Sequence, residues 1–450
     1  MKDINLTEGP IARKLILFAL PMIAGNMLQQ IYNLVDTMIV GKYIGAGALA
    51  AVGASYTLMV FLTSAVIGLC MGSGALFSAD YGAQDKGKLR EDIVLSFLFI
   101  AGVTLLLYLI LLPCQREILK LLRIPSEIFS VTEEYVGVIL MGIVFVVLYN
   151  FFAYLLRAMG NSLVPLLFLA ASSLVNIVLD LLFVISFRQG VKGAAIATVI
   201  AQALSGVGLT LYSFRKLEIL KDCLQRRNWQ WNRLREIMVH DAATSVQQSV
   251  MNFGILMIQG LVNSFGTSVM AAFAAAVKID TIAYMPAQEF GNAYSLFVSQ
   301  NFGAEKRDRI GRGTRLSFLM SAGFCLMISA LVWIFAGKLM TLFVDPAETE
   351  ILSHGIRYLR IEGAAYVGIG MLFLWYGYFR GIAKPQISLL LTVISLGTRV
   401  VLSYTLAPHT SFGVNWIWCS IPIGWFLADV AGLCLKGREK GKAVQESRTG

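Results

Sequence analysis

Twelve apolar runs follow one another between residues 14 and 435, and nothing else restricts the fold of this chain so strongly. They cover roughly 14–40, 50–79, 92–112, 132–156, 164–187, 193–214, 236–263, 271–299, 314–343, 355–379, 386–407 and 413–435. A helix of about 20 apolar residues crosses the hydrocarbon core of a bilayer, where the backbone must satisfy its own hydrogen bonds. Charged residues are 14% of the chain, against about 25% in soluble proteins. The expected class is an all-α integral membrane protein with twelve transmembrane helices. An outer-membrane barrel would show short alternating segments instead.

An even number of spans puts both termini on one side. The loops and tails on that side carry 26 Lys and Arg, and the opposite loops carry 9. This bias predicts cytoplasmic termini and a multi-pass protein of the plasma (inner) membrane. The net charge of +10 is thereby a topology signal, and no nucleic-acid partner is expected. The first apolar run outlasts the hydrophobic region of a signal peptide and ends at no small-residue cleavage site. Six scattered cysteines and three histidines form neither a disulfide framework nor a zinc motif.

The widest loop, RKLEILKDCLQRRNWQWNRLR at 215–235, divides the spans six and six. The expected domains are an N-terminal lobe at 1–214, a cytoplasmic linker at 215–235 and a C-terminal lobe at 236–450 with a short tail. The halves also repeat. An offset of 221 pairs Gly45 with Gly266, Ser78 with Ser299 and Gly82-Ala83 with Gly303-Ala304. An offset of 223 pairs Tyr135 with Tyr358, Arg157 with Arg380 and Gly190-Val191 with Gly413-Val414. Two pseudo-symmetric six-helix lobes follow, related by an axis along the membrane normal with a cavity between them.

Polar residues inside the spans carry the chemistry. Asp36 lies fifteen residues after Pro21, deep in the first span. Asn176 and Asp180 stand four apart on one helical face of span five, and Thr198 lies in span six. The second-half counterparts are Met257, Arg399, Ser403 and Ile421, so only the first half has this set. An intramembrane acid is costly and marks a functional site. Two carboxylates, an amide and a hydroxyl can hold sodium, or two nearby acids can share and exchange a proton. A hydrogen-bond network that only glues helices is the structural alternative.

Other residues suit the wall of a polar cavity: Gln29, Tyr32 and Asn33 in span one, and Gln288, Glu289 and Asn292 in span eight. Lys278 and Asp280, near the outer end of span eight, are close enough in sequence to pair. Phe151, Phe152, Trp375, Tyr376 and Tyr378 sit in equivalent spans four and ten. They suit packing first, with stacking on a flat cation as the functional alternative. The phosphate-binding motif GxxxxGK[ST] is absent, which argues against an ATP-driven pump. No arginine-rich voltage sensor, carbonyl selectivity filter or nucleophile–base set is present, so neither a gated channel nor an enzyme is expected.

The stretches LPMIAGNMLQQIYNLVDTMIVGKYIGAGALAAVG, GSGALFSADYGAQDKGK, RAMGNSLVP, NIVLD, GAAIAT and FGNAYSLFVSQNFGAEKRDR carry a resemblance over about residues 8–435. Together they resemble the multidrug and toxic compound extrusion (MATE) transporters of the bacterial type. The resemblance implies efflux of organic cations or amphipathic toxic compounds by antiport against sodium or protons. It also implies two six-helix lobes in a V shape and a monomer in the lipid bilayer. No cofactor is implied beyond the coupling ion. By the same resemblance, Asp36, Asn176, Asp180 and Thr198 look like the N-lobe cation or proton site, and Pro21 like the bending point of the first helix. Some members use acids in the seventh and tenth helices. Here the seventh span has Gln247, Gln248 and Asn252 and no acid beyond Asp241 at its cytoplasmic mouth, and the only acid of the tenth is Glu362 near its outer end. That favours the N-lobe set. The alternative activity is flipping of lipid-linked saccharides or other lipids. That activity calls for a basic cavity, and Arg399 is the only Arg or Lys well inside a span.

Overall fold

A computed structural model describes residues 4–122, 124–223 and 230–449. Arg123 of the charge comparison and 224–229 of the expected linker lie outside them. The described chain is built from helices. In order they are α1 (Ile11–Tyr43), α2 (Ala46–Gly82), α3 (Lys86–Leu121), α4 (Ser126–Met141), α5 (Ile143–Ala158), α6 (Leu163–Asp180) and α7 (Gly190–Lys216). After the short α8 (Glu218–Cys223) come α9 (Trp231–Asn263), α10 (Thr267–Gly303), α11 (Arg307–Met340), α12 (Thr349–Gly363), α13 (Tyr366–Gly381), α14 (Pro385–Leu406) and α15 (Asn415–Thr449). A six-residue π-helical segment, Leu181–Ser186, continues α6.

Taking α4–α5 and α12–α13 as one span each gives twelve spans, at the places hydropathy marked. Nine of the described helices are long and apolar enough to cross a bilayer, and the α4–α5 pair, bent by 41°, is a tenth. The remaining two are polar for a reason of content. α9 carries His240, Asp241, Gln247 and Gln248, and α12 carries Glu350, His354, Arg357, Arg360 and Glu362. The break between α4 and α5 falls at Gly142, where a Cβ would lie 2.4 Å from the Gln202 amide oxygen of α7. α1 runs unbroken through Pro21.

The outward faces are greasy. Leu105, Leu109, Leu174, Leu326 and Ile334 are all more than half exposed. In water such a surface would aggregate; in lipid it is solvated. Hydroxyls inside the spans bond to the carbonyl one turn back, as Thr104 does to Ile100 (2.7 Å) and Ser213 to Leu209 (2.8 Å). This satisfies a polar group where no water reaches it.

Contacts divide the chain into two compact units. Unit 1 is Met1–Ser249 with Ser299–Lys306, and unit 2 is Val250–Val298 with Arg307–Gly450. Unit 1 therefore includes the first half of α9 and the last turn of α10. Its core gathers around Phe151, whose ring meets those of Phe77, Phe97 and Phe152 edge-on at 5.8, 5.2 and 5.3 Å. In unit 2, Trp418 stacks on Phe273 at 5.4 Å, and Trp375 meets Phe318 at 4.7 Å. The aromatics at 151, 152 and 375 are thus packing residues.

Within unit 1, α5 and α7 touch backbone to backbone: a Cβ on Gly206 would lie 2.5 Å from the Phe145 carbonyl oxygen, whereas Gly102 on α3 has open space beside it. Overpacking of this kind costs about 1–3 kcal/mol. Gly206→Ala should lower the melting temperature of the purified protein, and Gly102→Ala should leave it unchanged or raise it. Equal melting temperatures for the two would contradict this packing.

Candidate functional site

The four expected coupling residues converge in unit 1. Asp36 comes from α1, Asn176 and Asp180 from the end of α6, and Thr198 from α7. Asp180 is the last residue of α6, and the π-helical turn begins at the next one. That turn shifts the backbone register, as the Phe187 N–H donating five residues back to Leu182 (2.9 Å) shows. Such single π turns recur at functional positions. Asn176 and Asp180 are buried, and Asp36 is half-buried.

The Asp36 and Asp180 carboxyls are within hydrogen-bonding reach of each other. With the Asn176 amide turned to suit its neighbours, its nitrogen donates to Asp180 Oδ2 at 3.3 Å. Its oxygen then accepts from the Thr198 backbone N–H at 3.3 Å. The Thr198 hydroxyl donates to the Ala194 carbonyl at 3.1 Å. One oxygen of each acid, Asp36 Oδ1 and Asp180 Oδ1, has no partner. A buried orphan of this kind costs about 1–3 kcal/mol, more when charged. Two facing carboxyls with one free oxygen each are satisfied by a shared proton, or by a small cation between them. Tyr32 and Tyr135 flank the pair, and Gln29 reaches Tyr32. Asn33 is half-buried on the same helix, where its carbonyl accepts from Thr37 (2.7 Å).

The expected span-eight group lies in unit 2. Asn292 donates to Glu289 at 3.2 Å and accepts from Arg380 at 3.1 Å, and Arg380 also donates to Ser295 at 3.0 Å. Gln288 is half-buried beside them on α10. Glu289 is thus linked through Asn292 to an arginine at the end of α13.

Unit 2 also holds an acid pair that the sequence reading did not join. Asp280 of α10 does not pair with Lys278, which is exposed. It faces Glu362 of α12, and Arg399 of α14 lies near both. Tyr358 donates to Glu362 Oε2 at 2.8 Å and lies 3.5 Å from Asp280 Oδ2. Asp280 Oδ1, Glu362 Oε1, the Tyr366 hydroxyl and Arg399 Nε are buried without partners. This cluster occupies the place that corresponds to the first-half site, because an offset of 223 turns Tyr135 into Tyr358 and Asn176 into Arg399. The signal was available: an arginine inside a span needs a carboxylate, and Glu362 lies one helical turn from the repeated tyrosine. Asp429 of α15, likewise unnoticed, is buried with both oxygens unpartnered.

The MatE family model matches residues 21–182 and 243–405. A probable multidrug resistance protein of Bacillus subtilis, YpnP, is 28% identical over 417 residues, covering 93% of this chain and 92% of that protein. An FAD transporter of Shewanella oneidensis is 26% identical, covering 96% of each chain. A crystal structure of MATE in the bent conformation superimposes with a TM-score of 0.91 at 22% identity, covering both chains completely. The fold is that of twelve transmembrane helices in two lobes.

The unit 2 cluster makes its own prediction. Tyr358→Phe removes the donor to Glu362 and leaves a second buried carboxylate oxygen orphaned. The cost should be about 1–3 kcal/mol, seen as a lower melting temperature. An unchanged melting temperature would show that the hydroxyl does not hold the acid.

Proposed function

We propose an activity that starts from one premise: the chain belongs to the MatE family of membrane transporters. It exports organic cations or other amphipathic toxic compounds from the cytoplasm by secondary antiport. Its coupling ion, a proton or sodium, is taken up at Asp36 and Asp180. The observation that carries this reading is the pair itself: two carboxyls from separate helices, in contact inside a membrane-spanning unit, each with an unpartnered oxygen. Asn176 fixes Asp180, and Thr198 fixes Asn176. Several relatives named as multidrug exporters support the substrate class.

The cycle follows from the differential affinity that coupling requires. On the outward-facing side the pair binds its ion, and the charge repulsion between the carboxylates is relieved. The change of access then exposes the pair to the cytoplasm, where the ion leaves. The negative site attracts a cationic compound, and the next ion displaces it outside. A ligand that bound both states equally would shift nothing. Sodium, where it is the ion, would rest on Asp36, Asp180, the Thr198 hydroxyl and the Asn176 oxygen, with the Asn176 amide turned over so that its oxygen faces Asp180; all are hard oxygen donors. The excess of Lys and Arg on one side supports cytoplasmic termini and an inner-membrane location. Arg399, placed beside two acids, does not provide the basic cavity that a flippase for lipid-linked saccharides calls for.

Asp36→Asn and Asp180→Asn should each reduce ethidium efflux to the level of cells lacking the protein while leaving its membrane abundance intact. Efflux at the wild-type rate in either variant would end this assignment. In proteoliposomes, imposing sodium and pH gradients one at a time should identify the ion, because only one of the two should drive uptake.

A further inference from the structure

The ends of α2 and α10 meet backbone to backbone inside unit 1. A Cβ on Gly82 would lie 2.0 Å from the Gln300 carbonyl oxygen, and one on Gly303 would lie 1.8 Å from that of Ala79. The offset of 221 turns Ala79 into Gln300 and Gly82 into Gly303. The contact is therefore reciprocal, with the same two positions used twice, as at a two-fold interface. Backbones this close leave no room for a side chain or water. The seam yields only by separating.

Each helix end is clasped by the segment that leads into the other half of the chain. Residues 4–7 precede α1, and they hold the end of α10. The Leu6 side chain is fully buried, its N–H donates to Gln300 Oε1 at 3.2 Å, and its carbonyl accepts from the Asn301 amide at 3.2 Å. The Thr7 carbonyl accepts from Lys306 Nζ at 3.1 Å. The Ile4 N–H donates to the Gly160 carbonyl at 3.0 Å, and Gln300 Nε2 donates to that of Ala158 at 2.7 Å. Gly160 takes φ +92°, and a Cβ there would lie 2.3 Å from the Ile4 carbonyl oxygen, so only glycine admits the strap.

Arg233, at the start of α9, is forked onto Asp92 near the start of α3 and reaches from there to the end of α2. Its Nε donates to Asp92 Oδ1 at 2.6 Å, its Nη2 donates to Asp92 Oδ2, its Nη1 donates to Glu236 at 2.6 Å, and it reaches Asp80 Oδ2 at 3.7 Å. Lys88 also reaches Asp80, at 3.5 Å. The offset of 221 turns Asp80 into Asn301. The equivalent side chains at the two helix ends thus each meet the opposite lead-in: Asn301 donates to the strap's backbone, and Asp80 lies 3.7 Å from the guanidinium whose fork closes on Asp92 of α3.

We infer that the 4–7 strap and Arg233 are paired bolts on the α2–α10 seam, and that both must be withdrawn before the face bearing the termini can open. In the transport reading above, that withdrawal is the step that admits a compound from the cytoplasm. The bolts act on a closed seam and touch neither carboxyl pair, so they set how often the face opens rather than what binds.

Hydrogen–deuterium exchange of the purified full-length protein in lipid nanodiscs tests this without any substrate, so failure of the transport reading leaves the result interpretable. Leu6→Asp and Arg233→Lys should each speed exchange several-fold at 79–83 and at 300–305. The double variant should exceed either alone, and Leu6→Met should match the wild type. If Leu6→Asp does not purify as a folded protein, deletion of residues 2–7 takes its place with the same expectation. Faster exchange confined to residues 4–14, with 79–83 unchanged, would make the strap a passive anchor and overturn the inference. So would a fast seam in Leu6→Asp beside an unaltered one in Arg233→Lys, because the bolts would then not be a pair.

Discussion

Everything in this structure depends on the absence of water from the bilayer core. A polar atom there must find its partner within the chain, and each failure costs more than a made hydrogen bond gains. Helices answer this for the backbone, and i−4 contacts answer it for hydroxyls such as those of Thr104 and Ser213. The carboxyls of Asp36, Asp180, Asp280 and Glu362 each keep one oxygen that nothing in the chain answers.

The two acid clusters use the same constraint differently. In unit 1 the pair is held by neutral groups alone, so both charges are free to be met by an incoming ion. In unit 2, Arg399 supplies a fixed positive charge beside Asp280 and Glu362, and a single proton leaves the set neutral. This asymmetry between corresponding places favours the first-half pair as the coupling site, and gives the second-half cluster the character of a structural neutraliser.

Much of the fold was legible because hydropathy acts on each helix independently. The spans fell where apolar runs predicted, and the run at 355–379 took in the second part of the polar α12 with all of α13. Asp36, Asn176, Asp180 and Thr198 were legible as a set because each is an isolated cost inside a span, and their convergence is what makes that cost worth bearing. Asp280 and Glu362 were not joined because 82 residues separate them, and Lys278 offered a nearer but false partner. The α2–α10 seam was visible only as repeated Gly-Ala. That two equivalent turns press on each other, and that Leu6 and Arg233 clasp them, are facts of packing with no local pattern.

The central claim is that one buried carboxyl pair couples ion and compound. Its most direct test is ethidium binding to the purified protein, followed by fluorescence while the coupling ion is titrated in, as sodium at fixed pH or as protons at fixed sodium. The account predicts that the ion displaces bound ethidium from the wild type, and that Asp180→Asn binds ethidium more weakly and releases none of what it binds as the ion is added. Displacement at the same ion concentration in both proteins would contradict it.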